Sequence, residues 1–241
     1  MKPYAFGFIG AGKLVGSVIR GLLLKKFCGS ATIVASEPNT ETRTQLQNEL
    51  GISFTTANTE VAEKAEIVFL GVKPQMVLPV LRELGGALTN KLVVSFAAGI
   101  RIAQMEAVTP ARIMRVLTNT PSAIGLAVQV DDDQMDAVTA LAGSGPAFVY
   151  AMIEALARGG EKMGLGKESA LRLAAQTALG ASDLMITSEK SPADLIKMVV
   201  TPGGTTAAGL RVMDERGIAD AIADAIKAAT ERGQEMAKEN R

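Results

Sequence analysis

The first half of the chain alternates short apolar runs with amphipathic stretches. Tyr4 to Ile9, Ala31 to Ala35, Ile67 to Val72, Leu92 to Phe96 and Ile113 to Leu117 have the length and composition of buried strands. Helical spacings lie between them. Lys13 to Lys25 sets Leu14, Val18 and Leu22 on one face, Glu41 to Leu50 is polar and stops at Gly51, and another helix begins near Gln75. Short strands separated by helices predict a parallel sheet with right-handed crossovers. From about Met135 the strand signal disappears. Gly145-Pro146 predicts a helix start with proline in the first helical position, running to Met163 and ended by Gly164 and Gly166. Lys167 to about Ser188 is a long Ala/Leu-rich helix. Ser191-Pro192-Ala193-Asp194 is a capped helix start, and Thr206 to Glu215 and Ile218 to about Lys238 complete the set. The change of character between 126 and 135 predicts two parts, 1–128 and 129–241. The helices of the second part are apolar on more than one face, so each must bury more than one side. That predicts a homodimer formed through this half.

Composition narrows the classes. The chain has 241 residues, with 25 Lys+Arg against 25 Asp+Glu. That balance lacks the basic footprint of a nucleic-acid partner. No Lys/Arg block stands out, and no apolar run approaches the ~18 residues of a spanning helix, so no membrane partner is expected. Ala5 to Ile9 runs straight into a glycine turn, unlike a signal peptide. The single cysteine, Cys28, allows no intrachain disulfide. These features together predict a soluble, cytoplasmic protein. The most restrictive count is zero histidines. It removes the commonest general acid/base and the commonest metal ligand, so no metal site is expected. Proton transfer must use a carboxylate, Lys, Tyr, Ser/Thr, water or the substrate.

The segment Gly10-Ala11-Gly12-Lys13-Leu14-Val15-Gly16 follows the first strand and opens the first helix. Its first glycine permits a tight turn, its second lets the backbone approach a pyrophosphate, and its third allows close helix–strand packing. The pyrophosphate then meets free N–H groups at the helix start. Gly10, Ala11, Gly12, Lys13 and Leu14 are therefore candidate contacts for a nicotinamide dinucleotide. Glu37 lies 21 residues after Gly16, at the end of the second strand. An acid there binds a ribose 2′-hydroxyl and repels a 2′-phosphate, while Ser36, Asn39, Thr40 and Arg43 nearby offer groups for a phosphate. The choice between NADH and NADPH stays open at this point, as does a plain surface role for Glu37. Val72, Lys73 and Pro74 follow a buried strand at its C-terminal end, where ligands bind in such sheets. Ala97, Ala98 and Gly99 present a backbone surface small enough for a nicotinamide ring. In the second half, Thr201-Pro202-Gly203-Gly204-Thr205-Thr206 connects two helices with glycines, hydroxyls and a following helix start that suits a carboxylate. Gly143-Ser144-Gly145-Pro146 opens the long helix, either facing a site or as a structural start.

These residues carry a resemblance. Phe8 to Lys13, Gly71 to Gln75, Ser95 to Ile100, Arg115 to Pro121, Asp136 to Ala147, Gln176 to Ala181 and Thr201 to Thr206 occur in the order found in pyrroline-5-carboxylate reductases. The sequence resembles that family over nearly its whole length. The resemblance implies an N-terminal Rossmann domain and an all-α C-terminal dimerisation domain. It implies reduction of the cyclic imine (S)-1-pyrroline-5-carboxylate to L-proline with NADPH or NADH, and dimers able to assemble into larger rings. It places Thr206 near the imine nitrogen as the catalytic hydroxyl. Gly204 and Thr205 flank the substrate carboxylate, with Thr201, Gly203 and Ser144 as further substrate contacts. Asn58 falls beside the adenine, and Val72, Lys73 and Pro74 near the nicotinamide and ribose.

Two departures stand out. Leu117-Thr118 replaces the Met-Pro common in the family. Only Ser122 to Met135 intervene where the family carries a longer strand–helix–strand unit, so the Rossmann sheet is expected to be shortened at its last strands. The histidine-free composition suits an imine. A protonated 1-pyrroline is already electrophilic and leaves as a neutral amine, so the protein need only position the partners. A related imine or 3-hydroxyacid reductase is the main alternative, although those enzymes usually carry a Lys that the threonine–glycine loop lacks. A non-catalytic dinucleotide-binding relative is the other.

Overall fold

Among the described residues, six parallel strands form one sheet in the order β3-β2-β1-β4-β5-β6. The structure is a computed structural model that describes residues 4–118 and 128–239. The strands are β1 (Tyr4–Ile9), β2 (Ile33–Ser36), β3 (Ser53–Thr55), β4 (Ala65–Leu70), β5 (Leu92–Ser95) and β6 (Arg112–Arg115). The helices between them are α1 (Lys13–Leu24), α2 (Thr40–Leu50), α3 (Asn58–Lys64), α4 (Pro74–Leu84) and α5 (Ile102–Glu106). This is the doubly wound arrangement expected from the alternation of strand and helix. From residue 128 on, the described helices are α6 (Met135–Val138), α7 (Gly145–Lys162), α8 (Lys167–Thr187), α9 (Pro192–Val199), α10 (Thr205–Glu215) and α11 (Ile218–Glu239). The expected shortening falls on Ser122 to Met135, of which residues 122–127 lie outside the described residues. Among the described residues the sheet ends at β6.

Both faces of the sheet are covered, which explains why its strands read as continuous apolar runs. On one face Phe8 packs with Val15, Ile19 and Ile33. The rings of Phe8, Phe69 and Phe96 stack across three strands, with centroids 4.6 and 5.8 Å apart. On the other face Ile9 packs with Val68, Leu70, Val77 and Leu81. There α3 lies close over β1: a Cβ on Gly7 would sit 2.6 Å from Val61 Cγ1 and Ala65 Cβ. No side chain fits, so glycine is required by packing.

The compact contacts divide the chain into Met1–Gly143 with Ala229–Arg241, and Ser144–Ala228. In the first unit an ionic cluster ties β6 to the start of the helical run. Arg115 donates to Asp132 at 2.6 Å, and Arg101 to Asp136 at 2.6 Å. Arg115 and Asp136 are almost completely buried. Lys91 donates to the carbonyls of Ala62, Glu63 and Ala65, closing the C-terminal end of α3, and burial pushes its pKa down.

The second unit has a thin core. Ala157, Ala170 and Ala174 are buried between α7 and α8, with Ile153 beside them. Large apolar side chains stay exposed, among them Leu156, Leu179, Ile186, Met198, Val199 and Val212. Phe148, Met152, Ile218 and Ile222 line an apolar groove. One helical run among the described residues, Asp132–Lys162, is apolar enough over an 18-residue window to cross a membrane by length and composition. This differs from the expectation that no apolar run approaches ~18 residues; the helical run continues through Gly143 into α7 rather than starting there.

Candidate functional site

The glycine turn sits where β1 ends, between β2 and β4, the point at which the strand order reverses. Ligands of such sheets bind in the crevice beyond these strand ends. Two hydrogen bonds fix the turn: the N–H groups of Gly10 and Ala11 both donate to Ser36 O, at 3.0 and 3.3 Å. Gly10 has φ +83°, a backbone favouring glycine, and a Cβ there would lie 3.1 Å from the Gly71 carbonyl. Gly12 differs. Its φ is −69° and ψ −169°, open to any residue, and a Cβ on it would meet nothing within 4 Å. Glycine at position 12 therefore answers no demand of the fold, which is what a backbone cradle for a ligand leaves behind.

Helix α1 begins at Lys13 with no side-chain cap and no acid in its first turn. The first helical bond is Gly16 N–H to Gly12 O at 2.8 Å. The N–H groups of Lys13 and Leu14 precede that bond and make none among the described residues. Free donors and the helix dipole suit an anion. Gly12, Lys13 and Leu14 are exposed and Ala11 is buried. The residues present fit a dinucleotide pyrophosphate.

The flanking candidates gather in the same unit. Ser36 ends β2 and its hydroxyl donates to Asn58 Oδ1 at 2.8 Å, joining two of the sequence-derived residues. Glu37 follows, 9% exposed, and its Oε1 accepts from Asn39 N–H at 3.0 Å. Arg43 donates to Glu37 O at 2.7 Å and to Thr40 Oγ1 at 3.3 Å. Val72 is half-buried, Lys73 is exposed as the cap of α4, and Pro74 is that helix's first residue. Ala97 is buried and Ala98 half-buried just beyond β5. Gly71 is missing from the sequence-derived candidates, yet it forms the wall facing the turn. Its N–H donates to Ile9 O at 2.8 Å, and a Cβ on it would lie 2.7 Å from Gly10 O. The strand was expected to run through Val72, which concealed a glycine at the strand end; β4 stops at Leu70.

In the second unit the threonine–glycine loop is a tight turn. Gly204 N–H donates to Thr201 O at 2.9 Å, and Gly203 has φ +73°. Gly204 precedes α10 with no side-chain cap, so the N–H groups at that helix start are available as well. Helix α10 begins at Thr205, one residue earlier than expected. Thr201, Gly203 and Thr205 are exposed and Thr206 is half-buried. Ser144 is half-buried at the start of α7 and caps nothing with its hydroxyl. Among the described residues no group of three or more Cys, Asp or Glu could hold a metal.

A parallel 3-2-1-4-5-6 sheet with an open glycine turn at its reversal point defines a dinucleotide-binding oxidoreductase fold. Known proteins narrow it further. Residues 132–236 match the family described as pyrroline-5-carboxylate reductase dimerisation, and residues 5–99 match NADP oxidoreductase, coenzyme F420-dependent. The chain is 37% identical to a Pseudomonas aeruginosa pyrroline-5-carboxylate reductase over 99% of each chain. It is 36% identical to the Pisum sativum enzyme of that name, over 97% of this chain and 96% of the other. Among solved structures, a Coxiella burnetii pyrroline-5-carboxylate reductase superposes with a TM-score of 0.90 at 28% identity, covering 97% and 98%. The Plasmodium falciparum pyrroline carboxylate reductase, solved with NADP bound, gives 0.84 at 25%, covering 98% and 99%. This chain belongs to the pyrroline-5-carboxylate reductase family. The alignment with the Pseudomonas enzyme spans 271 positions against 241 residues here, so the comparison requires about thirty gapped positions in this chain.

Proposed function

We propose that this protein reduces (S)-1-pyrroline-5-carboxylate to L-proline with NADPH or NADH, the last step of proline biosynthesis. The observation that supports this most is the open glycine turn at the sheet's reversal point, in a chain of this family. When bound, the dinucleotide supplies the hydride. The chain's own residues do the rest. Lys13 and Leu14 N–H groups hold the pyrophosphate beside Gly10, Ala11 and Gly12. Ser36, Glu37 and Asn58 hold the adenosine end. Val72, Lys73, Pro74, Ala97 and Ala98 line the path toward the nicotinamide.

The threonine–glycine loop takes the substrate. Gly203, Gly204 and Thr205 present N–H groups and the positive end of α10 to the carboxylate, with Thr201 and Ser144 as further contacts. Thr206 is the catalytic hydroxyl, hydrogen-bonded to the imine nitrogen. The substrate enters protonated, its carbon gains the hydride, and the nitrogen keeps the proton it carried. No histidine is needed, in keeping with a chain that has none. The part of the chain from about 129 serves dimerisation and substrate binding. A homodimer through this part covers the exposed apolar faces of α7 to α11 and accounts for the apolar run Asp132–Lys162. Assembly of dimers into a ring is a further step of the same proposal.

The test is NADPH or NADH oxidation followed at 340 nm on adding 1-pyrroline-5-carboxylate. Turnover is expected with wild type, and Thr206→Ala should lower kcat while the dinucleotide still binds. Dinucleotide binding without turnover would overturn the enzymatic reading.

A further inference from the structure

The turn after β2 bears on which dinucleotide this protein accepts, given the dinucleotide site proposed above. Gly10 and Ala11 both donate to Ser36 O. The peptide joining Ser36 to Glu37 is thereby tied to the flank of the glycine turn, and Glu37 is the first side chain beyond it. Glu37 is held rather than loose. It is 9% exposed, and its Oε1 accepts from Asn39 N–H at 3.0 Å. Its other oxygen, Oε2, makes no bond among the described residues and is free to accept from a hydroxyl.

Several of the groups that would receive a phosphate here are already engaged. Asn39 N–H is taken by the carboxylate. Thr42 N–H is taken by the side chain of Asn39 at 2.8 Å. The Arg43 guanidinium donates to Glu37 O and to Thr40 Oγ1. Ser36 Oγ donates to Asn58 Oδ1. A 2′-phosphate carrying close to two negative charges would meet a fixed carboxylate, while two of the Arg43 N–H donors are turned to Glu37 O and Thr40 Oγ1. A 2′-hydroxyl would meet an acceptor of the right kind.

We propose that Glu37 is a specificity-determining residue that makes this protein prefer NADH over NADPH. The adenosine end carries the discrimination, so fragments lacking nicotinamide should show it too. The experiment measures Kd for NADH and NADPH by nucleotide fluorescence, and for 5′-AMP and 2′,5′-ADP by calorimetry, in wild type and Glu37→Gln. Wild type should bind NADH and 5′-AMP on the order of ten-fold or more tighter than their 2′-phosphorylated counterparts. Glu37→Gln keeps an acceptor oxygen and removes the charge. It should bring NADPH and 2′,5′-ADP to within about three-fold of their counterparts with Tm unchanged. NADPH binding as tightly as NADH in wild type, or a Kd ratio unmoved by the substitution, overturns the proposal while leaving the dinucleotide site standing. Binding of neither dinucleotide overturns both.

Discussion

Gly10 and Gly12 stand two residues apart in one turn, yet the structure assigns them different duties. Gly10→Ala puts a Cβ on a φ of +83° and within 3.1 Å of the Gly71 carbonyl carbon and oxygen. The left-handed backbone costs about 1–2 kcal/mol, and forcing atoms into a packed site about 1–3 kcal/mol. Together these come to about 2–5 kcal/mol, and at about 2–4 °C per kcal/mol for a chain of this size Tm should fall by roughly 4–20 °C. Gly12→Ala meets neither penalty, since its φ is −69° and nothing lies within 4 Å of the new methyl. Reduced unfolded-chain entropy favours alanine, whereas glycine is the better N-cap. The two effects oppose each other, leaving stability within about 1 kcal/mol of wild type. The methyl does, however, occupy space at the start of α1, where the pyrophosphate is proposed to meet the N–H groups of Lys13 and Leu14. Losing one hydrogen bond to a charged group removes about 1.5–3 kcal/mol. NADH binding should then weaken roughly ten- to a hundred-fold. Thermal melts and NADH fluorescence titration on the two variants check this. A Gly12→Ala protein that melts with Gly10→Ala, or that binds NADH as wild type does, would refute the division of duties.

Other expectations follow from the same geometry. Asp136→Ala removes the buried partner of Arg101, with Asp136 side chain 3% and Arg101 30% exposed. Arg101 recovers some water, so the loss should be about 1–3 kcal/mol rather than the 3–5 of a fully buried pair, read as a lower urea midpoint. Gly233→Leu should be at least as damaging, because even its Cβ would lie 3.3 Å from Asp136 Oδ1. The hydrogen bond from Arg20 holds Glu49 below the usual glutamate range, and that from Lys64 does the same for Glu60. A carboxylate with a depressed folded pKa stabilises above its unfolded pKa, and the contribution is lost as pH falls through the folded value. Tm should therefore drop on acidification below about pH 4.5, and Glu49→Gln should shrink that drop without changing Tm's salt-independent part at pH 7 by more than a surface pair allows.

Much of this fold was legible because burial on both sheet faces leaves a strong apolar signature. Tyr4–Ile9 and Leu92–Ser95 show it plainly. Ser53–Thr55 was not legible: three residues at the sheet edge are too few to reveal a period. Asn58–Lys64 and Ile102–Glu106, of seven and five residues, are also short, and tertiary packing against β1 and β6 maintains them. The glycine turn was readable from spacing alone, because the left-handed Gly10 beside the Gly71 carbonyl permits little else at that position. Gly71 was hidden by the apolar run around it. The engagement of Asn39, Thr42 and Arg43 with their own loop could not be read at all, since side-chain direction leaves no mark on a list of residue types.

Hydride delivery to a cyclic imine from a dinucleotide seated on Gly10 to Leu14 is the proposed activity. Its most direct measurement is steady-state turnover of 1-pyrroline-5-carboxylate with NADH, run on wild type, Gly12→Ala and Thr206→Ala, with proline quantified as product. The account predicts proline formed one-for-one with NADH oxidised in wild type, a raised KM for NADH in Gly12→Ala, and a lowered kcat in Thr206→Ala. A wild-type protein that binds NADH and forms no proline with either dinucleotide would contradict it.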